Sequence, residues 1–174
     1  MQPQIERELS RIVGMPLRHI KRASNMLMVD VGEPRAVQDP RGRTVEEGEY
    51  AIHVQCAWRI VDERRILVAS GDFYVASSSY SGDSATWDWD VPGHNLFDER
   101  VGTLFRATDR HPVVDEIHVD RYGGFQIEFT DGTVLETFPA SSEDSEYAEA
   151  WRLFRLGDDG AHFVVTYNGI AAGE

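Results

Sequence analysis

The sequence contains two similar segments, and this internal echo is the feature that most constrains the fold. Residues 49–74 read EYAIHVQCAWRIVDERRILVASGDFY, and residues 146–169 read EYAEAWRLFRLGDDGAHFVVTYNG. Each segment begins with Glu-Tyr-Ala, reaches a Trp-Arg pair, passes through a charged turn and continues into an apolar run. We interpret the echo as architecture, because Trp-Arg is typical of a core residue beside a surface residue.

The similarity also extends upstream of the two segments. The stretch HIKRASNMLMVDVG (19–32) parallels IHVDRYGGFQIEFTDG (117–132), each with a short strand, an Arg, a turn of small residues and an alternating strand. Landmarks that recur in one order predict an internal duplication. The predicted halves are 14–72 and 111–170, joined by a loop and helix at 73–110 within a single domain, 1–174. Chance similarity of three short matches is the alternative.

A duplicated unit of this kind predicts how the core is built. Each half offers a sheet with one apolar face and needs a second layer to bury it. Two halves packed together would share one core, with Trp58 and Trp151 as equivalent anchors and Arg59 and Arg152 on the opposite face. The predicted fold is therefore α+β, with an antiparallel β-sheet core built from two related halves.

Two helices are expected to pack on the sheet. Ile5, Leu9 and Ile12 recur at helical spacing and predict an N-terminal helix that ends before Pro16. A central helix should begin at Asn95, whose side chain can cap it, and end near Arg110.

Strands are predicted where apolar residues alternate, above all at 26–31, 65–69 and in the hairpin whose turn is Asp131-Gly132. Polar residues with several Pro and Gly predict a loop at 33–48. Residues 50–57 alternate as a strand does, but the alanines and glutamates of the later copy favour a helical turn. We expect a short helix or turn that leads into a strand starting near each Trp.

Charge excludes some classes of partner. Thirty acidic residues against seventeen basic ones give a formal net charge of −13, which repels nucleic acid and anionic membrane surfaces. A basic protein is the partner that such a field favours, although acidity also serves solubility alone. The single Cys56 excludes an intramolecular disulfide, and residues 1–14 lack an apolar signal segment. We expect a cytoplasmic protein and leave its oligomeric state open.

No catalytic motif, nucleotide-binding loop or structural-zinc pattern is present, so we predict no cofactor and assign no catalytic residue. Cys56 and His53 could pair as nucleophile and base only on a helix, whereas a strand separates them; a buried structural thiol is the preferred interpretation. Glu116, His118 and Asp120 alternate along one strand and are weak metal-ligand candidates. The ordinary solvent face of an antiparallel strand explains the same alternation.

The most suggestive local feature is WDWD at 87–90, within the long polar stretch 76–93. Long loops of this kind are often functional. Exposed aromatic side chains flanked by carboxylates would recognise a cationic surface, so Trp87, Asp88, Trp89 and Asp90 form the predicted partner-binding patch. The alternative is that one or both tryptophans are hydrophobic plugs that anchor the loop.

Three functional hypotheses follow from these features. The first is a non-catalytic protein-binding module, such as an immunity protein or acidic inhibitor that binds a basic partner. The second is a small enzyme or ligand-binding protein whose site lies between the halves under loop 76–93. The third is a structural or regulatory subunit of a homo-oligomer.

Overall fold

The protein has a mixed α+β fold, seen in a computed structural model that describes residues 1–38, 42–104, 111–143, 145, 148–157, 160 and 162–171. In these residues, thirteen strands in antiparallel sheets accompany two α-helices, one of them N-terminal. The predicted class is confirmed.

The N-terminal helix α1 (Gln2–Leu9) continues into a 3-10 turn and buries Ile5 and Leu9 completely. The central helix α2 (Leu96–Leu104) starts where the sequence predicts, because the Asn95 side-chain oxygen accepts a hydrogen bond from the Asp98 N–H at 2.8 Å. The predicted end of this helix near Arg110 lies outside the described residues.

Seven strands precede α2 and six follow it. The first seven are β1 (Leu17–Ala23), β2 (Met26–Val31), β3 (Arg35–Gln38), β4 (Thr44–Glu47), β5 (Tyr50–Val54), β6 (Ala57–Val61) and β7 (Ile66–Ala69). The last six are β8 (Val114–Val119), β9 (Phe125–Phe129), β10 (Val134–Phe138), β11 (Glu149–Arg155), β12 (Phe163–Thr166) and β13 (Gly169–Ile170).

Each of the two large sheets combines strands that precede α2 with strands that follow it. The six-stranded sheet has the order β1-β2-β5-β11-β12-β13, and the five-stranded sheet has the order β7-β6-β10-β9-β8. The six-stranded sheet combines three strands that precede α2 with three that follow it, and the five-stranded sheet combines β7 and β6 with β10, β9 and β8. The small sheet β3-β4 stands apart.

The pairing register is also matched between the two large sheets. Trp151 and Leu153 of β11 lie opposite Val54 and Ile52 of β5, while Trp58 and Ile60 of β6 lie opposite Thr137 and Leu135 of β10. Strand β1 deviates from regular pairing between Leu17 and His19, and β8 does so between Val114 and Glu116. The two sheets therefore share strand order, register and the place of one irregularity.

The two sheets meet where the chain enters β1 and β8. Pro16 and Val113 form an antiparallel bridge. On either side of it, Leu17 N–H donates to Pro112 O at 2.8 Å and Val114 N–H donates to Met15 O at 2.9 Å. This reciprocal pattern joins the sheets at one corner.

One hydrophobic core lies between the sheets and contains both echoed tryptophans, Trp58 and Trp151. Their indoles have different surroundings. The Trp151 Nε1–H donates to Gly123 O at 2.7 Å. Within the described residues, Trp58 Nε1 has no acceptor, and the ring packs against Phe73 and Phe97.

Three local predictions are wrong. Residues 33–48 contain β3 and β4, whose paired charged residues, such as Arg35 opposite Glu47, support a hairpin despite the polar composition. Residues 50–54 form a strand, because β2 and β11 pair with it on both sides. The two Glu-Tyr-Ala triplets are not equivalent in topology, since Tyr50 begins β5 whereas Ala148 precedes β11; residues 146–147 lie outside the described residues.

Candidate functional site

The ends of loop 76–93 are held side by side. Ala76 and Asn95 form an antiparallel bridge, Ser77 N–H donates to His94 O at 2.9 Å, and Leu96 N–H donates to Val75 O at 2.7 Å. Between these ends the chain is irregular except for a single 3-10 turn at Ser84–Thr86. The predicted loop is confirmed. Both of its ends lie beside the residues at which α2 begins.

Both tryptophans of the loop are half-buried. The Trp87 Nε1–H donates to His94 O at 3.0 Å, which ties the middle of the loop to its own end. Trp89 packs against the core and meets the Tyr74 ring edge-on, with the ring centroids 5.1 Å apart. Each indole therefore anchors the loop, as the alternative interpretation states, while part of its surface stays accessible.

The two aspartates of the loop have local partners. One Asp88 oxygen accepts the Asp90 N–H at 2.9 Å, and the side chain is exposed. One Asp90 oxygen lies 2.9 Å from an Arg22 terminal nitrogen, although the Asp90 side chain is still 52% exposed. Asp88 is thus the carboxylate most open to a partner, and Asp90 is shared with Arg22.

Arg22 fixes the end of the loop to α2 and to the β1–β2 turn. Its Nε and one terminal nitrogen bind the two Asp98 carboxylate oxygens at 2.9 and 3.0 Å. The terminal nitrogens also donate to Asp90 Oδ1 and O, at 2.9 and 3.1 Å, and to Ser24 O at 3.2 Å. The guanidinium therefore makes five hydrogen bonds, and its side chain is only 8% exposed.

This arrangement favours the charged form of both partners. Burial raises the pKa of Asp98, but the hydrogen bond from Arg22 and that from Gly93 N–H outweigh burial and leave the pKa below its ordinary value. The pKa of Arg22 is raised, chiefly by its hydrogen bond to Asp98. The ion pair is thus a permanent feature of the folded protein near neutral pH.

Sequence reasoning did not select Tyr74 and Val75, which extend the surface around Trp89. Their exposed fractions are 53% and 47%, whereas the preceding Phe73 is 1% exposed. Asn25 donates to the Tyr74 hydroxyl at 3.2 Å and steadies the ring. The adjacent aromatic residues Phe73 and Tyr74 could have indicated this surface in the sequence. Two neighbouring rings at the end of a short 3-10 helix point in different directions, so only one of them enters the core. We call Tyr74, Val75, Asp88 and Trp89 the aromatic patch.

A groove of about 650 Å³ lies between β1 and α2, near the loop end. Leu17, Ile20, Phe97 and Val101 supply apolar lining. Three basic side chains and two acidic ones also line it, together with two histidines: Arg18, Lys21, Arg22, Asp90, Asp98, His19 and His111. The groove thus lacks the acidic excess that characterises the rest of the chain.

The weak metal-ligand candidates are not brought together. His118 Nε2 lies 3.5 Å from Glu116 and 3.7 Å from Glu128, on the outer face of the five-stranded sheet. Asp120 lies beyond β8, where its Oδ1 accepts the N–H groups of Tyr122 and Gly124 at 2.7 and 3.0 Å. The part of the chain that the structure describes contains no group of three or more potential ligands arranged for a metal ion.

Cys56 and His53 do not share a strand, because His53 lies on β5 whereas Cys56 lies in the connection between β5 and β6. Cys56 is buried in the core, where burial raises its pKa to about 12. His53 lies on β5 with its ring edge-on to Phe154, at 4.8 Å between centroids. A thiol with so high a pKa is a weak nucleophile at neutral pH.

One carboxylate that sequence reasoning missed is Asp30, which is 1% exposed in the six-stranded sheet. Its Oδ2 lies 2.8 Å from Lys21 Nζ and 3.3 Å from His19 Nδ1. Burial lowers the pKa of Lys21, but its ion pair with Asp30 and its hydrogen bond to Glu47 outweigh burial and raise the pKa overall. The buried charge is thus compensated, and the cluster serves the sheet.

Comparison of the chain with protein-family models, with curated proteins and with solved structures gives no match. No helix in the described residues combines the length and the apolar character needed to cross a membrane.

Proposed function

We propose that this chain is a non-catalytic protein-binding module, comparable to an immunity protein or an acidic inhibitor, that binds a basic partner through the aromatic patch. The observation that carries the proposal is the exposed Tyr74 ring set against the half-buried Trp89, beside the open carboxylate of Asp88. Aromatic anchors next to a carboxylate suit a partner surface that presents Arg or Lys. As part of the same proposal, the protein acts in the cytoplasm.

Charge supports this choice of partner. The formal net charge of −13 should attract a basic protein from a distance and accelerate its association, particularly at low ionic strength. The exposed carboxylate of Asp88 would meet a cation at close range, and the ring faces of the patch would hold it by cation–π attraction. Attraction at long range and recognition at short range thus involve the same sign of charge.

The fixed position of the loop also supports the proposal. The five hydrogen bonds of Arg22 hold the loop end, the Trp87 Nε1–H holds the middle, and Asn25 holds Tyr74. A surface that is ordered before binding loses little conformational entropy when a partner arrives. The patch is therefore suited to a tight complex rather than to a loose encounter.

Affinity capture from the source cell tests the proposal. The wild type, a Tyr74→Ala/Trp89→Ala variant and a Tyr122→Ala control would be immobilised at equal density; Tyr122 is 60% exposed on a separate turn. We expect a basic protein to bind the wild type and the control, to be lost from the patch variant, and to be released as salt rises. Circular dichroism and thermal melts establish that each variant is folded.

The proposal fails if the patch variant, while folded, retains the same basic partner as the wild type. It also fails if the purified partner binds with an affinity that is unchanged between low and high salt. The variant Asp88→Asn distinguishes the contribution of charge from that of the aromatic rings, because it removes the open charge and leaves both rings in place.

For the fold, we propose that residues 14–72 and 111–170 derive from one ancestral unit by duplication. The matched strand orders of the two large sheets support this, as do the matched registers of β5–β11 and β10–β6. The irregularity at Leu17/His19 and its counterpart at Val114/Glu116 add a detail that shared topology alone does not require.

The bridge between Pro16 and Val113 marks where a twofold axis relating the two proposed halves would pass. An antiparallel bridge between equivalent residues is what a twofold rotation produces at its centre. In a crystal structure, one twofold rotation through this bridge should superpose β1, β2 and β5 on β8, β9 and β10 while it exchanges β6 with β11. Failure of one rotation to superpose both sets would contradict the proposal.

A further inference from the structure

The groove between β1 and α2 is separate from the aromatic patch that we propose as the protein-binding surface. The two α-helices differ in how fully they pack. Helix α1 contacts β8 and buries Ile5 and Leu9 completely. Helix α2 packs on β7 and on the 3-10 helix Ser70–Tyr74, where it buries Phe97, but its Val101 stays half-buried and about 650 Å³ of space separates it from β1. That volume falls in the range of roughly 300–1,000 Å³ typical of small-molecule sites.

The apolar part of the groove has a defined place. Leu17 and Ile20 line it from β1, and Phe97 and Val101 line it from α2. Apolar walls contributed by two elements can hold an aliphatic chain or an aromatic ring away from water. Leu17, Ile20 and Phe97 are already buried in the core and present little surface, so Val101 is the one of the four that a ligand would cover most.

The cationic part adjoins the corner where the two sheets meet. Arg18 and His111 both line the groove, and each neighbours one partner of the hydrogen bond from Leu17 N–H to Pro112 O. The Arg18 Nε donates to Gly32 O at 2.8 Å, which fixes the side chain. Its terminal amino groups donate no hydrogen bond to any described residue and lie 3.7 Å from Glu33, which is 79% exposed.

The other charged groups of the groove are already paired. Arg22 is occupied by Asp98 and Asp90, and Lys21 by Asp30 and Glu47. His19 lies 3.3 Å from Asp30. Among the described lining residues, Arg18, whose ion-pair partner Glu33 is 79% exposed, and His111 are therefore the donors that an incoming anion would meet. A guanidinium end with open N–H groups binds a carboxylate through charge-assisted hydrogen bonds.

We propose that this groove binds a small amphipathic carboxylate, with its apolar part on Ile20, Phe97 and Val101 and its carboxylate on Arg18 and His111. The charge of the whole chain disfavours anions, so affinity depends on these two side chains. The ligand would supply apolar contacts that the half-buried Val101 lacks. No step of this binding involves the aromatic patch.

Titration with decanoate, decanol and decyltrimethylammonium tests the inference by calorimetry and by methyl chemical shifts. We expect decanoate to bind saturably, to shift the methyl signals of Ile20 and Val101, and to bind at least tenfold more tightly than decanol. Arg18→Gln should weaken decanoate binding about tenfold or more and leave decanol binding unchanged. Arg59→Gln is the control, since Arg59 pairs with Glu136 on the outer face of the other sheet.

Equal affinity for decanoate and decanol would overturn the carboxylate contact. Stronger binding of decyltrimethylammonium, or shifts confined to residues outside the groove, would overturn the inference as a whole. Val101→Trp fills the groove and should abolish binding. If that variant does not fold, Arg18→Gln and His111→Gln decide the matter, because both positions are on the rim.

Discussion

Replacing Arg22 with methionine should destabilise the protein by about 3 kcal/mol. Removing one partner of a buried ion pair costs roughly 3–5 kcal/mol, because the other charge stays buried without compensation. Arg22 is 8% exposed and Asp98 20% exposed, which places this pair at the lower end of that range. Asp90 is 52% exposed and adds little, since water can solvate it once Arg22 is gone.

Urea denaturation followed by tryptophan fluorescence would measure this loss. In a thermal melt, the same loss should lower the melting temperature by roughly 6–12 °C, since each kcal/mol shifts it by about 2–4 °C in a chain of this size. Arg121→Met is the matched control, because Arg121 follows the echoed strand in the sequence but is exposed on a turn. That control should change the free energy of unfolding by less than about 0.5 kcal/mol.

Acid should reduce the difference between the wild type and Arg22→Met. The folded pKa of Asp98 is below its unfolded value of about 3.9, so the pair contributes fully above that pH. Its contribution is lost as pH falls through the folded pKa. A loss below about 1 kcal/mol for Arg22→Met at pH 7 would refute the reasoning, since that is the value of an exposed pair.

Three further predictions concern buried side chains. With its pKa raised to about 12 by burial, Cys56 should react with a thiol reagent at pH 8 only after unfolding; rapid reaction of the native protein would contradict this. Burial, followed by the charge of Arg152, lowers the pKa of His53 below about 6.5, so the free energy of unfolding should fall between pH 7.5 and 5.5. His53→Gln should show a smaller fall in urea titrations, and an equal fall would count against that assignment. Trp151→Phe should cost about 1–3 kcal/mol more than Trp58→Phe, because Trp151 donates a hydrogen bond and Trp58 donates none to a described residue; equal costs would show that the bond contributes nothing.

Short sequence patterns were sufficient to predict the elements that depend on neighbouring residues. The Asp131-Gly132 turn and the alternating runs beside it predict β9 and β10, and Asn95 predicts the start of α2. In contrast, β3 and β4 have a polar composition, and their pairing depends on charged partners across the hairpin. Composition alone does not express such cross-strand pairs.

Contacts between distant residues could not be read from the chain. The exchange of β6 and β11 between sheets depends on which apolar faces meet, and periodicity does not specify a pairing partner. For the same reason, the pattern around Arg22 identified an echo but not its ion pair with Asp98. The Trp-Arg pairs lie at positions matched in register, whereas Ala51 lies within β5 and Ala148 precedes β11.

The long loop could be predicted from the sequence, but the packing of its side chains could not. Trp87 and Trp89 do lie on the long loop, yet backbone acceptors and the Tyr74 ring draw them partly inward. Tyr74 joins the patch because the short 3-10 helix that buries Phe73 turns the next ring outward. The groove combines residues from β1, α2 and the entrance to β8, which only the folded chain brings together.

Hydrogen exchange of the free protein and of its complex with the captured basic partner tests the central claim most directly. The account predicts that binding slows exchange of the backbone amides at residues 72–76 and 86–91, while amides of β8 exchange at the same rate in both states. Slowed exchange centred on β8 and β9, with loop 76–93 unchanged, would contradict it.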